Sequence, residues 1–392
     1  MNKKLMAVAV AGALGAPALA MAQASTVQIY GKTVIEYGYA NQGTGKPNID
    51  MMQAPGGVSI GFKGTEALGG GLSAWFQCES SADPRGDTAA GFCTRNSAIG
   101  MRGGFGSVYI GKWDTPYKRV MLRGEVGVED TGLFGIADYL SGGSTGAVAG
   151  NVAVLGGGPA RTLWQRRQHD SINYDTPDFS GFKGHFAYSS SNATLATNGH
   201  TSAKPRVWSV AALYDNGPLS LGLAYERHSQ FAPIAQVGGG DDKAWALSGS
   251  YVFMGKVKVG GSYNRQDYEM GPGMSVQKKG WALGVDWNVS GPHNLFANYA
   301  TSGDTQGTAG MTPGLSGATG VIPAAGPNTG VKKWGVGYQH KFSKRTDGKL
   351  GYVRLDNDSA ANYNLMGMTN GGVATRVGHS QDAFVMLLRH TF

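Results

Sequence analysis

Between residues 217 and 292 the chain alternates apolar with small or polar residues, and no other feature limits its fold as tightly. Leu219, Leu221, Leu223 and Tyr225 alternate with Ser220, Gly222, Ala224 and Glu226. Trp245, Leu247, Tyr251 and Phe253 repeat the pattern. After a turn at 254–256, Val257, Val259 and Tyr263 oppose Lys258, Ser262 and Asn264. Trp281, Leu283, Val285 and Trp287 oppose Ala282, Gly284 and Asp286. A period of two with one apolar face and one small or polar face is a two-sided sheet. In a soluble sandwich the apolar face would be rich in Leu, Ile and Val. Here it begins and ends in aromatic rings, as a membrane-spanning β-barrel requires at its two interfaces. On this pattern alone a secreted β-sandwich or solenoid stays open as the alternative. Beyond the first residues no uninterrupted apolar run reaches about 18 residues, so no transmembrane helix is expected.

The N-terminus has the form of an export signal. Lys3 and Lys4 precede an apolar, Ala-rich stretch over 5–20, and Ala18-Leu19-Ala20-Met21-Ala22-Gln23-Ala24 offers small-residue cleavage sites. Cleavage after Ala22 is expected, giving a signal peptide over 1–22 and a mature barrel over 23–392. Removing the two lysines takes the formal charge from +8 to +6. A basic exported protein points to anionic partners, such as lipopolysaccharide phosphates or permeating anions. No zinc-finger spacing, helix-turn-helix pattern or aromatic RNA-binding motif supports nucleic-acid binding. Cys78 and Cys93 are the only cysteines. In an oxidising compartment an even count favours one structural disulfide. No His cluster accompanies them, so neither a metal site nor a cofactor is expected.

Connections alternate in length. Short turns fall at 66–71, 103–106, 175–181, 215–218, 254–256, 290–293 and 343–348. Longer loops fall near 41–56, 80–94, 113–168, 190–205, 228–242, 268–277, 302–331 and 357–379. Seven turns and eight loops make fifteen connections, hence sixteen antiparallel strands with both termini on the short-turn, periplasmic side. A barrel this wide encloses water, whereas about eight strands would fill theirs with side chains. The insert at 113–168 is long for a structureless connection. It is expected to fold into the lumen and narrow it.

Several segments, in order, resemble the general porins of β-proteobacteria: TVQIYGKTVIEYGY (26–39), IGFKGTEALGGGLSAWFQCES (60–80), GFGSVYIGKWDTPY (104–117), DSINYDTPDFSGFKG (170–184) and the terminal LLRHTF. The resemblance covers the chain from end to end. It implies a sixteen-stranded homotrimer in the outer membrane of a Gram-negative cell, with a third loop that forms a constriction. It also makes Phe392 the terminal residue read during outer-membrane assembly. The cysteine pair and the Gly-rich stretch over 142–158 depart from the commoner family pattern.

A channel of this kind performs no covalent chemistry; it sets a radius and a field, and charged rings tune ion preference. Charges opposite the apolar face of each strand are the candidate wall residues: Lys32 and Glu36, Lys63, Arg102, Arg167 and His169, and Lys183 and His185. Lipid-facing placement of Lys or Arg at mid-membrane would cost about 2–4 kcal/mol. Strict alternation puts Lys112 with Val108 and Ile110, so an inward Lys112 would need a bulge. From the loop, Glu125, Glu129 and Asp130 are expected to form an acidic side facing a basic wall of Lys32, Lys63, Arg102, Arg167 and Lys183. His169, His185 and Ser171 supply residue types used by membrane-barrel hydrolases, but common residues in common places do not make a catalytic constellation. The expected function is passive diffusion of ions and small hydrophilic solutes with mild anion preference. The alternatives are a substrate-selective channel for small anions on the same barrel, or a surface adhesin or structural barrel with little conductance.

Overall fold

The computed structural model describes residues 27–41, 43, 48–55, 57–86, 91–129, 132–136, 164–190, 206–230, 240–313, 315–316, 320–321, 323–365 and 377–392. The proposed signal peptide, Asp130 and the stretch 142–158 lie outside them.

One antiparallel sheet dominates. It contains eighteen strands, two of which (Ile49–Gln53 and Gln306–Gly307) are short extensions beside longer neighbours. The remaining sixteen form the barrel. The first seven are β1 (Gln28–Asn41), β2 (Ser59–Gly69), β3 (Leu72–Ser80), β4 (Ser97–Gly103), β5 (Gly106–Asp114), β6 (Arg167–Asp175) and β7 (Phe182–Ser189). Then come β8 (Arg206–Asn216), β9 (Leu219–Ser229), β10 (Asp241–Phe253), β11 (Val257–Gly271), β12 (Met274–Ser290) and β13 (His293–Ser302). The last three are β14 (Val331–Lys341), β15 (Thr346–Asn357) and β16 (Gln381–Thr391). Each pairs with the next, and β16 pairs with β1 from Lys32↔Thr391 to Asn41↔Asp382, which closes the ring. At the seam Gly31 and the terminal Phe392 exchange two backbone hydrogen bonds of 3.1 Å. The Phe392 ring fills the space in which a side chain at 31 would stand, so Gly31 is required there.

The alternation sorts the wall as the sequence implies. Leu223 is 49 % exposed and Ala224 1 %, and the same contrast runs through β10 to β12. Trp245, Tyr251, Phe253, Trp281 and Trp287 stand exposed on the outer face. The buried core therefore lies against the inward phase of the wall. It is built from Tyr117, Val120, Met121, Val128, Leu133, Phe134, Ile136 and Trp164, which come from the third loop, together with inward side chains of the strands.

Two readings of the sequence need correction. The expected loop over 268–277 is a tight hairpin: β11 runs to Gly271 and β12 starts at Met274. Gly271 and Gly273, at φ +143° and +73°, take up the backbone angles that the reversal around Pro272 demands. The expected inward His169 is also displaced. Gly111 pairs with Ser171 and Trp113 with Gln168, so β6 carries an extra residue here. Asp170 adopts a positive φ of 50°, and the bulge leaves His169 exposed beside it at 2.7 Å.

Candidate functional site: the inner wall and the third loop

The third loop begins where β5 ends. Thr115 caps helix α1 (Pro116–Met121) by accepting the amide of Lys118 at 3.4 Å, and Pro116 occupies the first turn, where its missing N–H costs nothing. A single 3₁₀ turn over Leu122–Gly124 follows. The loop then runs along residues of the inward phase. Tyr117 donates its amide to Ser209 at 3.1 Å, the Ser248 hydroxyl donates to the carbonyl of Val120, and Lys349 Nζ donates to the carbonyl of Gly127 at 2.9 Å. Lys333 reaches the carbonyl of Gly135. Glu36, fully buried, accepts the amides of Leu133 at 2.8 Å and Gly132 at 3.2 Å, and Gln53 donates to it as well. Backbone groups in a water-poor setting need such partners.

Close approach depends on missing side chains. A Cβ at Gly260 would meet Val126 Cγ2 at 2.4 Å, and one at Gly351 would meet Phe134 Cζ at 2.8 Å. Where the loop returns to β6, Trp164 stacks on His228 (centroids 4.0 Å apart, planes 11° off parallel) and donates to the Tyr268 hydroxyl at 2.8 Å. His228 is bonded to Glu226 at 2.8 Å.

The cations of the loop meet acids of the wall. Arg119 binds Asp175 at 3.0 Å and Arg123 binds Asp215 at 2.5 Å. Lys118 binds Asp114 at 2.5 Å, and burial pushes its ammonium down to about 8 against the pull of Asp114. Burial likewise lowers the Arg166 guanidinium, to about 10, with Glu226 opposing the shift.

Of the residues singled out in the sequence, Lys63 and Arg102 face inward, exposed, and share one cavity of about 570 Å³ with Arg119 and Asp175. Lys63 Nζ lies 5.0 Å from the Tyr30 ring centroid, and the Arg102 guanidinium lies 5.8 Å from that of Trp75. Lys32 is inward and half-buried near the seam, in register with Thr391 and Ser59. Lys183 also has the inward phase, but it binds Asp178 at 3.1 Å in the turn before β7, away from the cavity. His185 is inward and bound to Asp175 at 2.6 Å. Arg167 is held by Asn96 at 3.0 Å and Asp114 at 3.2 Å, beyond the bulge that breaks simple alternation. Lys112 stays in register with Ser97, half-buried. Glu125 is half-buried at the end of the 3₁₀ turn, and Glu129 is exposed. Cys78 and Cys93 are bridged, with Cα atoms 4.8 Å apart. The anchoring residues Lys333 and Lys349 went unnoticed in the sequence. The signal was present, because each alternates with an outward apolar neighbour, Trp334 and Leu350 respectively.

A closed sixteen-strand barrel with an apolar outer face and a polar inner one is the architecture of an outer-membrane channel. A sequence model of the Gram-negative porin family matches residues 7–360, and the chain belongs to that family. The outer membrane porin protein 32 of Delftia acidovorans is 29 % identical over 401 residues, covering 100 % of both chains. A major outer membrane protein P.IB of Neisseria gonorrhoeae is 27 % identical over 298 residues, 74 % of this chain and 75 % of that one. Among solved structures, an anion-selective porin from Comamonas acidovorans superposes with TM-score 0.71 at 22 % identity, covering 94 % of this chain and 100 % of its own. The trimer form of OmpT from Vibrio cholerae gives TM-score 0.62 at 15 % identity, with 94 % and 100 % covered. The chain is thus an outer-membrane porin.

Proposed function

We propose that the porin is a passive, mildly anion-selective diffusion pore whose third loop, 113–168, narrows the lumen. One observation carries the sign of the selectivity. Several acids of the inward phase meet cations, Glu79 with Arg95, Asp175 with Arg119, Asp215 with Arg123 and Asp347 with Arg389, while Glu36 accepts loop amides and Asp286 is held by Asn294. Among the described residues Lys63 and Arg102, both exposed, have no carboxylate partner. Uncompensated cations in a narrow water column with low-dielectric walls raise the local anion concentration. The Comamonas relative, described as anion-selective, supports the same sign. Lys32, Arg167 and Lys183 complete the proposed basic side, and Glu125, Glu129 and Asp130 the opposing one.

We further assign residues 1–22 to a signal peptide and 23–392 to the barrel, place both termini in the periplasm, and take the working form as a homotrimer bathed in outer-membrane lipid and lipopolysaccharide, as the trimer form of the Vibrio relative suggests. Reversal potential across a planar bilayer under a KCl gradient tests the selectivity. Chloride should be preferred, and Lys63→Glu with Arg102→Glu should reverse the preference. A cation preference in the unmodified protein would overturn the proposal. Neutralising Glu125, Glu129 and Asp130 together should strengthen the anion preference and raise conductance.

A further inference from the structure

The inner phase of this wall should be small or polar, yet a cluster of three aromatic rings departs from that rule. Trp75, Tyr109 and Trp113 alternate with outward residues such as Phe76, Val108 and Ile110 and pack on one another inside the barrel. Their ring centroids are 5.2 Å apart for Trp75–Tyr109, 5.7 Å for Trp75–Trp113 and 5.2 Å for Tyr109–Trp113. Other inward aromatics are accounted for: Tyr268 and Phe296 are buried under the loop by Trp164 and Phe134, and Tyr30 donates its hydroxyl to Glu79 at 3.1 Å. Trp75 and Trp113 are not covered in this way. They stay half-exposed and line the cavity that holds Lys63 and Arg102.

The rings are held in place. Trp75 Nε1 donates to Ser107 Oγ at 3.2 Å, and the Tyr109 hydroxyl is tied to Arg119 and lies 3.3 Å from Asp175. Preorganised rings lose little side-chain entropy when a second ring packs on them. Arg119 is already neutralised by Asp175. Arg102 and Lys63 are not, and each sits over an aromatic ring whose face attracts it.

Resting on the diffusion-pore reading, we propose that this cavity is a solute subsite for aromatic carboxylates. The ring of the solute packs against Trp75 and Trp113, and its carboxylate meets Arg102, which sits over Trp75, with Lys63 adding its charge from elsewhere on the cavity wall. Water bathes the cavity, so binding is weak and reversible, as conduction through a pore requires. The subsite favours one chemical class without closing the pore to others.

The test uses the purified full-length protein in planar bilayers, with benzoate, cyclohexanecarboxylate and acetate as probes at equal ionic strength. Benzoate should reduce chloride current saturably, with a half-blocking concentration at least about fivefold below that of cyclohexanecarboxylate, and acetate should not saturate. Trp75→Leu and Arg102→Gln should each raise the benzoate value about fivefold or more. Equal effects of benzoate and acetate, or block unchanged in Trp75→Leu, would overturn the subsite while leaving the porin intact. Calorimetric titration of the detergent-purified protein with benzoate decides the same question without conductance. Saturable binding that Trp75→Leu abolishes supports the subsite even if the bilayer shows no current, which would instead overturn the diffusion-pore reading. Absence of binding overturns the subsite. Heat-modifiable migration in gels verifies that each variant is a folded barrel before either measurement.

Discussion

Glu36 is a single side chain on which the path of the loop turns. It is fully buried, feels the charge of Lys333, and is held directly by the amides of Gly132 and Leu133 and by Gln53. Hydrogen bonds to a charged acceptor are worth about 1.5–3 kcal/mol each, so Glu36→Ala should free the middle of the loop from the wall. The expected outcome is a noisier open channel, with Glu36→Gln intermediate because one carbonyl oxygen remains. Quiet, unchanged current in Glu36→Ala would show that the loop is held elsewhere. A second residue-level effect concerns the bridge that closes a loop of 15 residues between Cys78 and Cys93. Closing a loop of this length stabilises by about 3 kcal/mol through the unfolded chain. Cys78→Ser with Cys93→Ser should therefore lower the temperature of the gel-mobility transition. Reductant should do the same to the parent protein and nothing further to the variant.

At the scale of elements, helix and loop reach the wall because the wall gives way. Val126 and Phe134 occupy the space that side chains at Gly260 and Gly351 would fill. Gly260→Val should displace the loop towards the lumen and reduce conductance, whereas Gly273→Ala, in a turn where nothing lies within 4 Å, should leave current unchanged and cost only backbone strain. These contacts were invisible in the sequence. A strand glycine reads the same whether a loop or water lies over it, and no period links residue 126 to residue 260. The helix start at Thr115-Pro116 is written locally, as a capping Thr followed by Pro, although the alternation argument assigns no helix there. The bulge in β6 was not, because its positive φ falls on Asp170 rather than on a glycine. That single irregularity moved His169 outward and took Arg167 into the network of Asn96 and Asp114. The hairpin at 271–274 was misread for a related reason. Near the ends of β11 and β12 the outward residues turn polar, at Arg265, Asp267 and Lys279, so the strands appear to stop before they do.

For the whole molecule, lipid on one side and water on the other impose the same two-residue period on every strand. That is why sixteen strands could be counted from alternation and turns, while the lumen's inner arrangement could not. The same argument yields a test of which face is which. Leu283 lies on β12 between the exposed Trp281 and Trp287, is 54 % exposed, and should stand near the middle of the bilayer. Thr65 on β2 has the inward phase and lines the cavity. An arginine facing lipid near mid-membrane costs about 2–4 kcal/mol, whereas one facing water costs little. Leu283→Arg should therefore lower the folding free energy obtained from urea titration in lipid vesicles by that amount, and Thr65→Arg should leave it nearly unchanged. Thr65→Arg should also strengthen chloride preference, since it adds a cation beside Lys63 and Arg102. Equal destabilisation by the two arginines would mean that the alternation does not separate lipid from lumen, and the assignment of every wall charge would fall with it.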